Sequence, residues 1–364
     1  MLKNKIKVYL QYPLFKSDSQ YYKSILENPP KEVLYESKQK DIGMLTDNKK
    51  LEKSKKLKKF LRTFFNKTRF PFPSAFYVKD SKEYDLIHCA HCLCLNNKPW
   101  VADFEIAWQM WGGVKLTPLR KFFVKKLLLS KNCKKIMPWL ETTKKQILEN
   151  FPELEDKIEL LPYAMPPINI KKSKSKNINL LFTGRYFFQK GGLHALEVMD
   201  RLTKKYKNVR AIFISDVPKK ILDKYSKNKK IEFSGLVSFE KIIKEIYPKS
   251  DIYVYPGYTD SLGFTFIEAQ ACGIPVVTVD GYARKEVVQD GKTGFIIPLK
   301  EEIDYNKLDE YIIKKLEEKV SLLIENKKLR EKMALEGKKI IKDGKFSIKE
   351  RNKKLKRIYE EAIK

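Results

Sequence analysis

Apolar positions along the chain alternate between short β-rich runs and segments with helical spacing. In the first half, runs at 6–10, 32–35, 85–89, 100–104, 134–137 and 158–161 predict strands. The patterns at 49–67, 116–130 and 141–150 predict helices between them. After residue 177 the alternation restarts. Strands are predicted at 178–182, 210–214, 231–233, 252–255, 276–279 and 295–297, and helices at 193–206, 239–247, 264–272 and 307–323. Gly273 and Pro275 stop the third of these helices. Such alternation predicts parallel sheets with helices on both faces. The stretch 165–177, MPPINIKKSKSKN, is rich in Pro, Lys and Ser, buries nothing, and is the predicted linker. The expected division is therefore an α/β domain over 1–167, a second over 168–345, and an amphipathic segment over 346–364. That last segment has Ile348, Leu355, Ile358, Tyr359 and Ile363 apolar. It is either an ordinary terminal helix or one that crosses back to the first domain. Two doubly wound domains imply a cleft between them, with ligands at the carboxyl ends of strands.

Composition narrows this only slightly. The chain has 364 residues, 43% of them hydrophobic, which is enough for two cores. No apolar run approaches the roughly 18 residues that cross a bilayer, and residues 1–10 lack a signal-like apolar stretch. The expected location is cytoplasmic, or peripheral on the inner face of the cell membrane. The net charge of +30 attracts polyanions, whether nucleic acid, anionic lipid or phosphorylated substrate. A lysine-rich solvated surface accounts for much of that excess. The five cysteines are odd in number and three lie within 89–94, which predicts reduced thiols. HCAHCLC at 88–94 has no second Cys/His pair at finger-like spacing, so buried thiols are expected there and no metal.

Two stretches carry chemistry. In LFTGRYFFQKGG, 181–192, Gly184 turns the chain after a strand and Arg185 and Lys190 flank a short loop. Two cations at a strand's carboxyl end suit a diphosphate. In PGYTDSLGFTFIEAQACGIPVV, 256–277, Gly263 precedes a helix whose N-terminus is suited to phosphate. Asp260 precedes that helix and Glu268 lies inside it, placed to accept ribose hydroxyls. The alternative is a turn-capping Asp260 and a solvated Glu268; the apolar neighbours Phe266, Ile267, Ala269 and Ala271 argue against it.

With these residues in place, the second half resembles the donor domain of glycosyltransferase family 4, the retaining GT-B enzymes. Their G-R-x4-K-G matches 184–191, and their E-x7-E followed by A-x-A-x-G-x-P-V-V matches 260–277. Weaker agreement lies at Phe233–Gly235, at Glu286, and at Phe346, Ser347 and Tyr359. The resemblance implies a GT-B fold: two Rossmann-like doubly wound domains facing a cleft, acceptor-binding first and donor-binding second. It implies a metal-independent hexosyltransferase that retains anomeric configuration, with a nucleotide-sugar as substrate and no cofactor. Arg185 and Lys190 would hold the donor diphosphate, Asp260 the transferred sugar and Glu268 the ribose. Gly184, Ser261, Leu262, Gly263, Phe264 and Thr265 would line the donor site through their backbone.

Three departures stand out. Asp260 replaces the family's usual Glu and is one methylene shorter. The Gly-rich loop after the first strand is replaced by 11–24. The family's N-domain histidine aligns loosely with Glu105, which leaves Asp103 or Glu105 for the acceptor or sugar side.

The helix at 49–67 sets Leu57, Phe60, Leu61, Phe64 and Phe65 against a Lys/Arg-rich side that includes Lys55 and Lys56. That pattern suits either an anionic membrane surface or an ordinary core-facing helix. Phe122 and Phe123, with Lys125 and Lys126, read as core-facing. The expected acceptor is a lipid, a lipid-linked group or a glycan. The alternatives are a GT-B sugar-nucleotide epimerase or phosphorylase, and a basic nucleic-acid-binding protein. The first is weakened by only three histidines, the second by the lack of a reader motif, so no nucleic acid is expected.

Overall fold

The computed structural model describes residues 5–13, 20–37, 48–68, 70–71, 74–79, 81–173, 175–300 and 302–364, without the side chains of 20, 48–52, 54, 55 and 81. The chain forms two compact units, 1–166 with 345–364, and 167–344.

In the first unit the chain runs through β1 (Ile6–Gln11), α1 (Gln20–Glu27), β2 (Val33–Glu36), α2 (Asn48–Thr68), β3 (Ala75–Phe76), β4 (Leu86–Ala90) and β5 (Leu93–Cys94). It continues through β6 (Trp100–Phe104), α3 (Pro118–Leu129), β7 (Cys133–Pro138) and α4 (Glu141–Asn150). The main sheet is parallel, in the order β2-β1-β4-β6-β7, so direction reverses between β1 and β4. Its strands are apolar on both sides because both faces are covered. Ile87, Cys89, Trp100, Ala102 and Phe104 face Val124, Leu128 and Ile147. Leu86, Val101 and Met137, on the other face, pack against Leu355, Ile358 and Tyr359. Those last three belong to the terminal helix, Ile348–Ala362, which thus completes the core of the first unit. Its Arg351 is buried and donates from Nη1 to Ser24 Oγ at 3.0 Å and from Nη2 to the Asn28 carbonyl at 2.6 Å.

Helix ends in this unit are satisfied locally. Thr117 caps α3 by accepting from Arg120 N, with Pro118 in the first turn. Lys157 Nζ donates to the carbonyls of Leu128, Ser130 and Cys133 at 2.8–3.0 Å and so closes the other end. The strand expected at 158–161 is only a bridge. Ile158 pairs with Ile136, and Leu161 N donates to the Pro138 carbonyl at 2.9 Å.

The second unit runs β8 (Ile178–Gly184), α5 (Gly192–Lys205), β9 (Val209–Ser215), α6 (Lys219–Tyr225), β10 (Ile231–Ser234), α7 (Phe239–Lys241), β11 (Ile252–Val254) and α8 (Phe264–Ala271). It ends with β12 (Val276–Val279), α9 (Arg284–Val287), β13 (Gly294–Ile297), α10 (Glu310–Glu325) and α11 (Lys327–Lys342); the terminal helix is α12. The parallel sheet has the order β10-β9-β8-β11-β12-β13, reversing between β8 and β11.

Three expectations change here. The helix expected over 239–247 is short, passing into a π turn at Ile242–Ile246 and a 3-10 turn at Tyr247–Lys249. Pro248, with no N–H to give, helps end it, and Tyr247 is turned into the interior. The linker does bury something. Lys172 Nζ donates to the Tyr247 carbonyl at 3.3 Å and to the Ser250 carbonyl, and burial pulls its pKa down to about 8. Finally, α11 was not foreseen from the sequence. A Cβ at its Gly337 would sit 3.2 Å from Gln270 Cβ, so the glycine permits close α8–α11 packing.

Candidate functional site

In an open parallel sheet, the strands either side of the reversal send their loops apart and leave a crevice at their carboxyl ends. In the second unit that crevice is bounded by the loops after β8 and β11. The first carries Arg185 and Lys190, and the second carries Asp260 and leads into α8 with Glu268.

The two loops are joined. Gly257 N donates to the Lys190 carbonyl at 3.0 Å. Gly191, at φ +76°, lies against Pro256 so closely that a Cβ would come within 2.5 Å of the proline Cβ. Gly184 is similarly pressed, with a Cβ position 3.0 Å from Tyr255 and 3.3 Å from Lys190 Cβ. Across this junction Lys190 Nζ donates to Asp260 Oδ1 at 2.6 Å, both side chains being about five-sixths buried. Arg185 is half-buried at the head of its loop, with its guanidinium 6.0 Å from the Tyr186 ring.

Gly263, at φ +75°, caps the N-terminus of α8. Ser261, Phe264 and Thr265 are half-buried around it, and Leu262 is fully buried, so Leu262 offers only its backbone. Glu268 is 6% exposed and accepts from the Tyr247 hydroxyl at 3.1 Å. Burial raises its pKa to about 7, against which the tyrosine acts weakly. The sequence held no hint of Tyr247, because the π turn that delivers it has no simple pattern. It also gave no hint of Arg284, on α9. This arginine is 1% exposed, donates to the Gly257 carbonyl at 2.5 Å and the Val279 carbonyl at 3.1 Å, and lies over Phe266.

A cavity of about 770 Å³ lies at the opposite, amino edge of this sheet, between Lys172, Asn177, Asn208, Asp251, Pro275 and Lys338. None of the expected donor residues lines it; they lie at the other end of the strands.

In the first unit the acceptor-side expectation divides. Asp103 is completely buried. It shares a strand face with Val101, and thus meets His88 of β4 and the α12 side rather than solvent. His88 Nε2 lies 2.7 Å from Asp103 Oδ2 and His88 Nδ1 lies 2.6 Å from the Tyr359 hydroxyl, while Tyr21 donates to the same Oδ2. Asp103 thus lies in the core, held by His88 and Tyr21. Glu105 is half-buried, and its carbonyl accepts from Thr143 Oγ1 at 2.6 Å. His91, at φ +59°, follows β4; burial lowers its pKa to about 4, so its ring is neutral.

All five cysteines are buried thiols. Among the described residues no group of three or more His, Cys, Asp and Glu is arranged to hold a metal.

On α2, Leu57, Phe60 and Phe64 are exposed, Phe60 to 65%. Lys56 is exposed beside them, and the Lys55 side chain lies outside the described residues. The helix is pinned by Arg120, which donates to the carbonyls of Phe65, Phe70 and Lys115 and to Asn66 Oδ1. No helix among the described residues is long and apolar enough to cross a membrane.

Two parallel-sheet Rossmann-like units with this strand order define the GT-B fold. The same fold appears in a glycosyltransferase from Rickettsia africae, 17% identical, with a TM-score of 0.67 over 99% of both chains. It also appears in HepE of Anabaena, solved in complex with UDP-glucose. That protein is 12% identical, with a TM-score of 0.62 over 97% of this chain and 98% of that one. Residues 167–340 match the model of the glycosyl transferases group 1. Among curated proteins, the phosphatidylinositol N-acetylglucosaminyltransferase gpi3 subunit of Schizosaccharomyces pombe is 23% identical over 40% of this chain and 34% of its own length. The sulfoquinovosyl transferase of Arabidopsis thaliana is 29% identical over 28% of this chain and 21% of its own. The chain thus spans about a third or less of these two relatives.

Proposed function

We propose that this protein is a glycosyltransferase that moves a hexose-type sugar from a nucleoside-diphosphate donor to a lipid, lipid-linked or glycan acceptor, with retention and without a metal ion. The observation that carries this reading is the placement of Arg185, Lys190 and Asp260 on the two loops at the strand-order reversal of the second unit, with Glu268 on the helix that follows. Glu268 receives the ribose hydroxyls, replacing the hydrogen bond from Tyr247. Arg185, Lys190 and the N-terminus of α8 hold the diphosphate. Asp260 accepts from hydroxyls of the transferred sugar.

The bond that breaks joins the anomeric carbon to the donor phosphate oxygen, and negative charge grows on that oxygen as it leaves. Fixed cations and helix N–H groups stabilise this charge more than the ground state, an effect typically worth about 2.7–4 kcal/mol for a single donor. The bond that forms joins the anomeric carbon to the acceptor oxygen on the same face. The acceptor proton passes to the departing phosphate.

The exposed Leu57, Phe60 and Phe64 beside Lys56 favour a peripheral position on an anionic membrane, at its cytoplasmic face. The fission-yeast relative, a phosphatidylinositol N-acetylglucosaminyltransferase subunit, supports a lipid acceptor in the same direction.

The test is incubation of the purified protein with radiolabelled UDP-, GDP- and ADP-sugars and a membrane extract. Label moving into a lipid or glycan fraction is expected. Interconversion of the nucleotide sugar without acceptor, or no turnover with strongly salt-dependent RNA binding, contradicts the proposal.

A further inference from the structure

The ion pair between Lys190 and Asp260 poses a difficulty for donor binding. A lysine that is to face a diphosphate is held in the free protein by the carboxylate that is to face the sugar. When Lys190 turns to phosphate, Asp260 is left as a largely buried anion without its countercharge, which is costly. Another cation must be at hand.

Arg284 is placed for this. Its Nη2 donates to the carbonyl of Gly257, at the start of the loop that carries Asp260, and its Nε donates to the carbonyl of Val279 at the end of β12. The guanidinium carbon is 4.6 Å from the centre of the Phe266 ring, in the first turn of α8. One side chain therefore touches the loop, the neighbouring strand and the helix that together form the donor end of the sheet. Its Nη1 is buried and has no hydrogen-bond partner, and a Cβ on Gly263 would come within 3.6 Å of it. A buried guanidinium normally satisfies all its N–H groups. A spare one beside the helix N-terminus is a donor held in reserve. Asp260 is the carboxylate that most favours the charged form of this arginine, against the effect of burial.

We propose that Arg284 is a positioning residue of the donor site, which takes over Asp260 through Nη1 when Lys190 leaves it for the donor diphosphate. It rests on the donor reading above. The exchange keeps Asp260 paired before and after binding, so the ligand's charge is met by Lys190 without stranding a carboxylate. It also accounts for the absence of a side chain at Gly263, where a Cβ would lie 2.4 Å from the Phe266 ring that supports the guanidinium.

The experiment is a thermodynamic cycle on nucleoside diphosphate binding, with UDP, GDP and ADP as probes, read by calorimetry on the full chain. The four proteins are the wild type, Arg284→Met, Asp260→Asn and the double variant, with Arg284→Lys as the conservative control. Arg284→Met is expected to weaken binding about tenfold or more in the wild-type background and less than about twofold in the Asp260→Asn background, because the anion it serves is then gone. Arg284→Lys should recover part of the loss and also serves if the methionine variant does not fold. An equal loss in both backgrounds makes Arg284 a packing group only and overturns the proposal, as does unchanged binding by both Arg284 variants. Failure of the wild type to bind any of the three nucleotides is a separate result, which overturns the donor reading itself.

Discussion

Lys190 and Asp260, seventy positions apart in the chain, form an ion pair of 2.6 Å. The contact joins the loop after β8 to the loop after β11, across the reversal of strand order. It brings a cation suited to phosphate and an acid suited to sugar hydroxyls into one small volume, with Glu268 on the helix that follows.

Glu268 gives a pH prediction with a definite sign. Its pKa is raised by burial from 4.5 to about 7. A raised carboxyl contributes stability that is present in full below about pH 4.5 and is lost as pH rises through about 7. Glu268→Gln removes that loss and keeps a group for Tyr247. Above pH 7 the variant should therefore be more stable than wild type, by on the order of 1–3 kcal/mol. The same variant should bind nucleotide poorly. Denaturant titrations at pH 5 and pH 8 check the first point: a gain at pH 8 that shrinks at pH 5 is expected.

The terminal helix belongs energetically to the first unit. Tyr359 holds His88 at 2.6 Å and Tyr35 at 2.7 Å, all within the core. Tyr359→Phe leaves those partners short of a hydrogen bond and should cost about 1–3 kcal/mol. Ending the chain at Gly344 should unfold the first unit and leave the second folded. Limited proteolysis distinguishes the two, since a resistant fragment beginning near residue 167 is expected.

Much of this architecture was legible because both sheets follow simple rules. The mostly apolar runs at 100–104 and 276–279 coincide with β6 and β12, since strands covered on both faces are apolar on both sides apart from hydrogen-bonded groups such as Asp103 and Thr278. The loops of the candidate site were equally legible, because Gly191 and Gly263 mark positive-φ turns where a Cβ would also clash. What stayed hidden depends on partners distant in sequence. Nothing local to Asp103 tells that His88, Tyr21 and Tyr359 surround it, and so it read as a candidate for the acceptor or sugar side. Arg284 and Arg120 are two of 75 cations in the sequence, and only burial separates them from the rest.

Arg120 offers a test of what secures α2. Its guanidinium takes acceptors at Phe65, Asn66, Phe70 and Lys115, and it is fully buried. Arg120→Met should strand those acceptors and cost about 2–4 kcal/mol. Hydrogen exchange should rise over 60–71 first, while the second unit stays protected.

The exposed face of α2 predicts membrane binding that depends on both apolar contact and charge. The double variant Phe60→Ser, Phe64→Ser should bind vesicles containing phosphatidylserine at least tenfold more weakly than wild type. Wild-type binding itself should fall as salt is raised. Sedimentation with vesicles of neutral and anionic composition checks both, and equal binding of wild type and variant would remove α2 from the interface.

The central claim is tested most directly by thermal denaturation of wild type, Arg185→Ala and Glu268→Ala with and without UDP-, GDP- and ADP-sugars. One donor should raise the melting temperature of the wild type, and neither variant should respond while both remain folded. Unchanged donor-induced shifts in both variants would show that the loops after β8 and β11 do not form the donor site.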